Sequence, residues 1–130
     1  MPRDASLIAV VDDEESVRRA LGRLIRSAGF EVETFSSGTD FLLSLQQRRP
    51  HCVVLDMRMP HLSGFDVQQE MKLTDAGIPV VVITGDYSAE GRADALHLGA
   101  AAYLRKPVDD AMLLSAISAA VRANVPPRSA

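Results

Sequence analysis

The sequence predicts an α/β protein: a doubly wound parallel sheet of five strands covered by helices on both faces. Three observations lead there. Apolar runs alternate with helix-period segments along the 130 residues, the pattern of successive βαβ units. Three runs, Leu7 to Val11, Cys52 to Leu55 and Val80 to Ile83, are apolar without alternation, as strands are when both faces are buried. Each is followed at once by a polar residue, Asp12, Asp56 or Thr84.

The elements follow in order. After the first strand, Val17, Ala20, Leu21, Leu24, Ile25 and Ala28 recur at spacings of three and four, an amphipathic helix stopped by Gly29. Val32 to Phe35 alternates and reads as a more exposed edge strand. Phe41, Leu42 and Leu45 suggest a helix ending before Pro50, ahead of the second buried strand. A loop with Pro60 and Gly64 leads into a helix near Phe65 to Leu73, and Pro79 opens the third buried strand. A less apolar helix near Ala89 to Leu98 is stopped by Gly99 and contains Gly91. Gly lowers helix propensity by about 1 kcal/mol relative to Ala, so Gly91 reads as a tolerated defect or as a means of keeping the helix mobile. Ala101 to Leu104 is a short fifth strand, and Leu113, Ala116, Ile117, Ala120 and Val121 mark the last helix. The three most apolar strands belong at the sheet centre, with right-handed crossovers. Residues 1–124 are expected to form one domain, and 125–130 a tail or linker stub.

Composition narrows the class. Hydrophobic residues make up 47% and charged residues 24%, as in ordinary globular domains. Aromatics are 5% with no Trp, so the core is aliphatic. A net charge of −3 argues against nucleic-acid binding by the domain itself. A single cysteine, Cys52, cannot form an internal disulfide and suggests a reducing, cytoplasmic setting; it should pack as a small hydrophobe. No apolar stretch is long enough to span a membrane, and the opening residues lack a signal peptide's apolar run. His51, His61 and His97 show no ligand spacing and read as surface or loop residues.

The chemistry gathers at the strand ends. Asp12 and Asp13 follow the first strand, Asp56 ends the third, Thr84 the fourth, and Lys106 lies just past the fifth. Ligands of an open α/β sheet bind beyond these carboxyl ends. Three carboxylates in one crevice repel unless a cation joins them. An all-oxygen set suits Mg²⁺, with about six ligands near 2.0–2.1 Å, and not Zn²⁺, since no His or Cys is present. Phosphoryl transfer depends mostly on positioning and charge neutralisation, and a carboxylate is an established nucleophile for it. Asp56, central and at the tip of a buried strand, is the best placed.

The stretches IAVVDDEESVRRAL, VVLDMRMPHLSGFDV, PVVVITGDYS and LGAAAYLRKPVD resemble a CheY-like receiver domain of two-component response regulators. The wording is closest to receivers of LuxR-type (FixJ- and NarL-like) regulators. The resemblance covers about residues 6 to 122. It implies a flavodoxin-like fold with strand order 2-1-3-4-5, the order that general treatments of this fold class give for CheY. It implies Asp56 as phosphoacceptor, and Mg²⁺ or Mn²⁺ on Asp12, Asp13, Asp56 and the backbone carbonyl of Arg58. It implies Thr84 as switch hydroxyl, Lys106 as phosphate partner before a cis Pro107, and Tyr103 as switch aromatic. The output face would be the helix near Ala89 to Leu98, the strand at Ala101 to Leu104 and the helix near Ala111 to Val121. A sensor histidine kinase or phosphotransfer protein would be the donor, with a homodimer open after phosphorylation. The chain would be either a receiver cut from a larger regulator or a stand-alone one.

Each residue also has a plainer reading. Asp12 and Asp13 could be a helix N-cap and first-turn acid, and Glu14 and Glu15 read as such residues. Asp56 could form a turn, Thr84 could simply end a strand, and Lys106 could be solvated. Tyr103 could be half-buried packing. The coincidence of four such residues at four strand ends favours the site. A haloacid-dehalogenase-type phosphatase would carry a second Asp two residues after Asp56, where Arg58 stands. A flavin or nucleotide module would want a glycine-rich loop, where this chain has Asp-Asp-Glu-Glu-Ser. Arg58 and Asp86 are each two residues past a site residue and are expected to pair across it and restrict water.

Overall fold

The computed structural model describes residues 6–74 and 77–123; the tail expected at 125–130 lies outside them. The elements alternate as β1 (Leu7–Val11), α1 (Glu15–Ser27), β2 (Glu31–Phe35), α2 (Gly38–Ser44), β3 (Cys52–Asp56), α3 (Gly64–Thr74), β4 (Val80–Thr84), α4 (Ala89–His97), β5 (Ala102–Arg105) and α5 (Asp110–Ala123). All pairings are parallel, in the order β2-β1-β3-β4-β5. This is the flavodoxin-like arrangement expected. β3 and β4 each run one residue further than the apolar pattern, so that Asp56 and Thr84 are the last residues of their strands. β5 is shifted by one residue and ends at Arg105.

Every residue of β1, β3 and β4 is buried, because helices cover both faces of the sheet. On one face Ala9, Val11, Val53, Leu55 and Val82 meet Phe41 of α2, Val67 and Met71 of α3 and Ala95 of α4. On the other, Ile8, Val10, Val54, Val81 and Ile83 meet Leu21 and Ile25 of α1 and Leu113 and Ile117 of α5. The unbroken apolar runs therefore supply two cores by alternation of the pleat. The β2 edge buries only Val32. Its Glu31 lies 2.9 Å from Arg48, and charge at an edge discourages pairing with other chains. Cys52 is fully buried, and burial pushes its thiol up to about 12, which leaves it an inert hydrophobe.

Local signals set the helix ends. Ser37 and Ser88 accept hydrogen bonds from Asp40 N and Gly91 N and so cap α2 and α4. Gly29 and Gly99 both sit at φ 98°, the left-handed stop that Gly takes without penalty. His51, read as a surface or loop residue, is exposed but also structural: Leu7 N donates to its Nδ1 at 2.9 Å, tying the start of β1 to the turn before β3.

Candidate functional site

β1 and β3 are neighbours in the sheet, so the residues at their ends converge. Asp12 is fully buried and Asp56 is 2% exposed, while Asp13 is exposed. Ligand oxygens of Asp12, Asp13 and Asp56 all lie within 4.8 Å of one another. Asp12 Oδ1 accepts from Glu14 N at 2.9 Å, and Asp56 Oδ1 accepts from Arg58 N at 3.3 Å. Gly64 opens α3 directly beneath: a Cβ there would lie 2.7 Å from the Asp56 carbonyl oxygen, so only Gly lets the helix start so close to the Asp56 backbone.

Lys106 faces these acids from the end of β5, past which its backbone N–H donates to Thr84 O at 2.8 Å. Its Nζ lies 2.9 Å from Asp12 Oδ2 and 3.4 Å from Asp56 Oδ1. The contact with Asp12 Oδ2 is ionic without hydrogen-bond alignment, and that buried oxygen has no hydrogen-bond partner. The Lys106–Pro107 peptide is cis. Thr84 is 1% exposed, and its Oγ1 accepts from Asp86 N at 3.0 Å. Arg58 and Asp86 close the mouth with a 2.9 Å ion pair, each 68% exposed. A shallow cavity of about 340 Å³ is lined by Glu14, Asp56, Arg58, Gly85, Asp86 and Lys106.

The electrostatics follow from this packing. Burial, reinforced by the Asp12 charge, raises Asp56 from 3.8 to about 6, against the opposing pull of Lys106 and the Arg58 N–H. Burial alone would lower Lys106, but Asp12 and Asp56 outweigh it and hold the ammonium above its usual value. One ammonium cannot offset three carboxylates, so the site retains negative charge suited to a hard cation. The Asp12, Asp13 and Asp56 oxygens, all within 4.8 Å of one another, with Asp12 Oδ2 held only by Lys106, fit Mg²⁺ or Mn²⁺.

The structure thus brings Asp12, Asp13, Asp56, Thr84 and Lys106 to one sheet edge, and pairs Arg58 with Asp86 as expected. Glu14 is the N-cap residue of α1 and Glu15 lies in its first turn, as expected, and the Glu14 carboxylate also lies 3.6 Å from Lys106 Nζ. The acidic run showed its charge but not its direction. The structure narrows the reading of Gly91. A Cβ there would lie 2.5 Å from the Tyr103 hydroxyl, so the glycine makes room and is more than a tolerated defect. Tyr103, 8% exposed, packs against Tyr87 with the rings tilted at 57° and centroids 5.1 Å apart, and Arg105 lies 4.7 Å over the Tyr87 ring.

Residues 8–118 match the family model described as the response regulator receiver domain. The chain belongs to this receiver family. The receiver is 39% identical over 118 residues to response regulator protein TodT of Pseudomonas putida, covering 91% of this chain and 52% of TodT. It is 40% identical over 115 residues to nodulation protein W of Bradyrhizobium diazoefficiens, covering 88% and 51%. Among solved structures, the response regulator StyR is similar at TM-score 0.80 and 42% identity, covering 92% of this receiver and 61% of that chain. The chain spans about half the length of the curated relatives it matches. Among the described residues no helix is long and apolar enough to cross a membrane.

Proposed function

We propose that this receiver accepts a phosphoryl group on Asp56 and signals by it, turning over no substrate of its own. The observation that carries the reading is the environment of Asp56: a buried carboxylate at a strand end, flanked by Asp12 and by the Lys106 ammonium at 3.4 Å. The donor is a sensor histidine kinase or phosphotransfer protein, with small acyl phosphates as substitutes. An Asp56 carboxylate oxygen forms the new O–P bond as the donor's bond to phosphorus breaks, and the departing group takes its proton from solvent. Lys106, already within reach of the Asp56 oxygen, pairs with the incoming phosphoryl charge. Asp12, Asp13, Asp56 and the Arg58 carbonyl would hold Mg²⁺ or Mn²⁺, which when bound neutralises carboxylate charge and offers a phosphoryl oxygen a positive partner.

Thr84, one β-strand away from Asp56, is the hydroxyl that turns toward the phosphoryl group. Tyr103 is the aromatic that follows it, and the surface of α4, β5 and α5 changes for a protein partner, an output domain or a second copy. The receiver unit includes the family-matched residues 8–118, and the cytoplasm is its setting. The Arg58–Asp86 pair screens attacking water. Being exposed, it is worth about 0–1 kcal/mol, so its kinetic effect is modest.

Titration with beryllofluoride or acetyl phosphate in the presence of Mg²⁺, followed by NMR shifts and by molecular size, tests the reading. The wild type should respond and Asp56→Asn should not; a full response in that variant overturns the assignment. Equal phosphoryl lifetimes in wild type and Asp86→Ala would remove the role given to the Arg58–Asp86 pair.

A further inference from the structure

We infer that Gly91 sets the balance between buried and exposed Tyr103, through a steric gap in the first turn of α4. Gly91 lies near the start of α4, but its backbone is not in the left-handed region, where only Gly29 and Gly99 are found among the described glycines. Ala would therefore suit the backbone there and favour the helix. What a side chain would meet is Tyr103. A Cβ at position 91 would lie 2.5 Å from the Tyr103 hydroxyl oxygen and 3.5 Å from Cζ. The hydroxyl is the tip of a rigid ring, so relief requires the whole ring to turn. Nothing else fixes that tip: among the described residues the hydroxyl makes no hydrogen bond to another protein group. The buried ring is held by shape, between the Gly91 gap and the Tyr87 ring.

The same walls connect to the phosphoacceptor edge. Thr84 Oγ1 holds Asp86 N, and the chain runs on through Tyr87 to Ser88, which caps α4 at Gly91 N. A shift of Thr84 would move the Tyr87 and Gly91 walls around Tyr103. This link to signalling rests on the reading of Asp56 and Thr84 given above. The steric role of Gly91 does not.

The chain has two tyrosines and no Trp, so in Tyr87→Phe the fluorescence reports Tyr103 alone. Acrylamide quenching should be weak in Tyr87→Phe. It should rise about twofold or more in Tyr87→Phe/Gly91→Ala, as the exposed ring becomes the major conformer, with far-UV circular dichroism showing the fold retained. Because a Cβ at 91 would also lie 2.9 Å from Ser88 Oγ, Tyr87→Phe/Ser88→Ala is the control and should quench like Tyr87→Phe. No rise with Gly91→Ala overturns the inference, as does an equal rise with Ser88→Ala, which would assign the effect to the cap. Quenching in Tyr87→Phe that ignores beryllofluoride with Mg²⁺ would count against the switch reading and leave the Gly91 result standing.

Discussion

At the residue scale the informative quantity is the price of ionising Asp56. Its pKa is raised from 3.8 to about 6, chiefly by burial and then by Asp12. A raised acid holds its proton more tightly folded than unfolded. Stability therefore falls as pH climbs between those two values, and the full penalty is present above about 6. The displacement corresponds to about 3 kcal/mol at most. Without divalent metal, Asp56→Asn should be more stable than wild type by about 1–3 kcal/mol at pH 7.5, and the gain should vanish toward pH 4. Urea midpoints across that range measure it, and a gain that grows on acidification would contradict the sign. Lys106 works in the other direction. Its own titration, raised by Asp12 and Asp56, removes stability only as pH climbs above 10.5, far from the window in which Asp56 ionises.

Among the helices, α4 buries the fewest residues. It buries only Ala95, whereas α5 buries Leu113, Ile117 and Ala120. Beyond its cap and its contact with β5, α4 is tied to α3 by Gln68, whose Nε2 donates to Ala95 O at 3.1 Å. Gln68 is 2% exposed and its Oε1 has no partner, so the same side chain carries a favourable bond and an unfavourable orphan. Gln68→Leu should consequently change global stability by less than about 1 kcal/mol, while amide hydrogen exchange in α4 speeds up and that in α1 and α5 does not. Unchanged α4 exchange would show that the Gln68 tether does not restrain it. The weak apolar pattern of Ala89 to Leu98 already marked this helix in the sequence. The tether was not legible, because residues 68 and 95 are joined only once α3 and α4 lie on the same face of the sheet.

For the whole molecule, a metal held at the carboxylate edge would couple to stability. A cation that binds only the folded chain adds about 1.4 kcal/mol at ten times its Kd. Mg²⁺ should therefore raise the wild-type Tm, and Asp12→Asn should lose most of that rise because it weakens the set at its buried member. Calorimetry with and without chelator reads this; an equal rise in both proteins would place the metal elsewhere. The order β2-β1-β3-β4-β5 makes such a site possible, since it sets the ends of β1 and β3 side by side and brings Thr84 and Lys106 in from the next two strands.

By itself the sequence determined the alternation of elements, the burial of β1, β3 and β4, and which polar residues lie at the carboxyl edge. These follow from local periodicity, and the helix stops at Gly29 and Gly99 follow from local backbone freedom. Only the tertiary structure decided that the Glu14 carboxylate turns to Lys106 and that Gly91 makes room for Tyr103. Each depends on the direction of a side chain across elements far apart in the chain. Direction of that kind is set by packing and charge balance in the assembled sheet, and no period in the sequence encodes it.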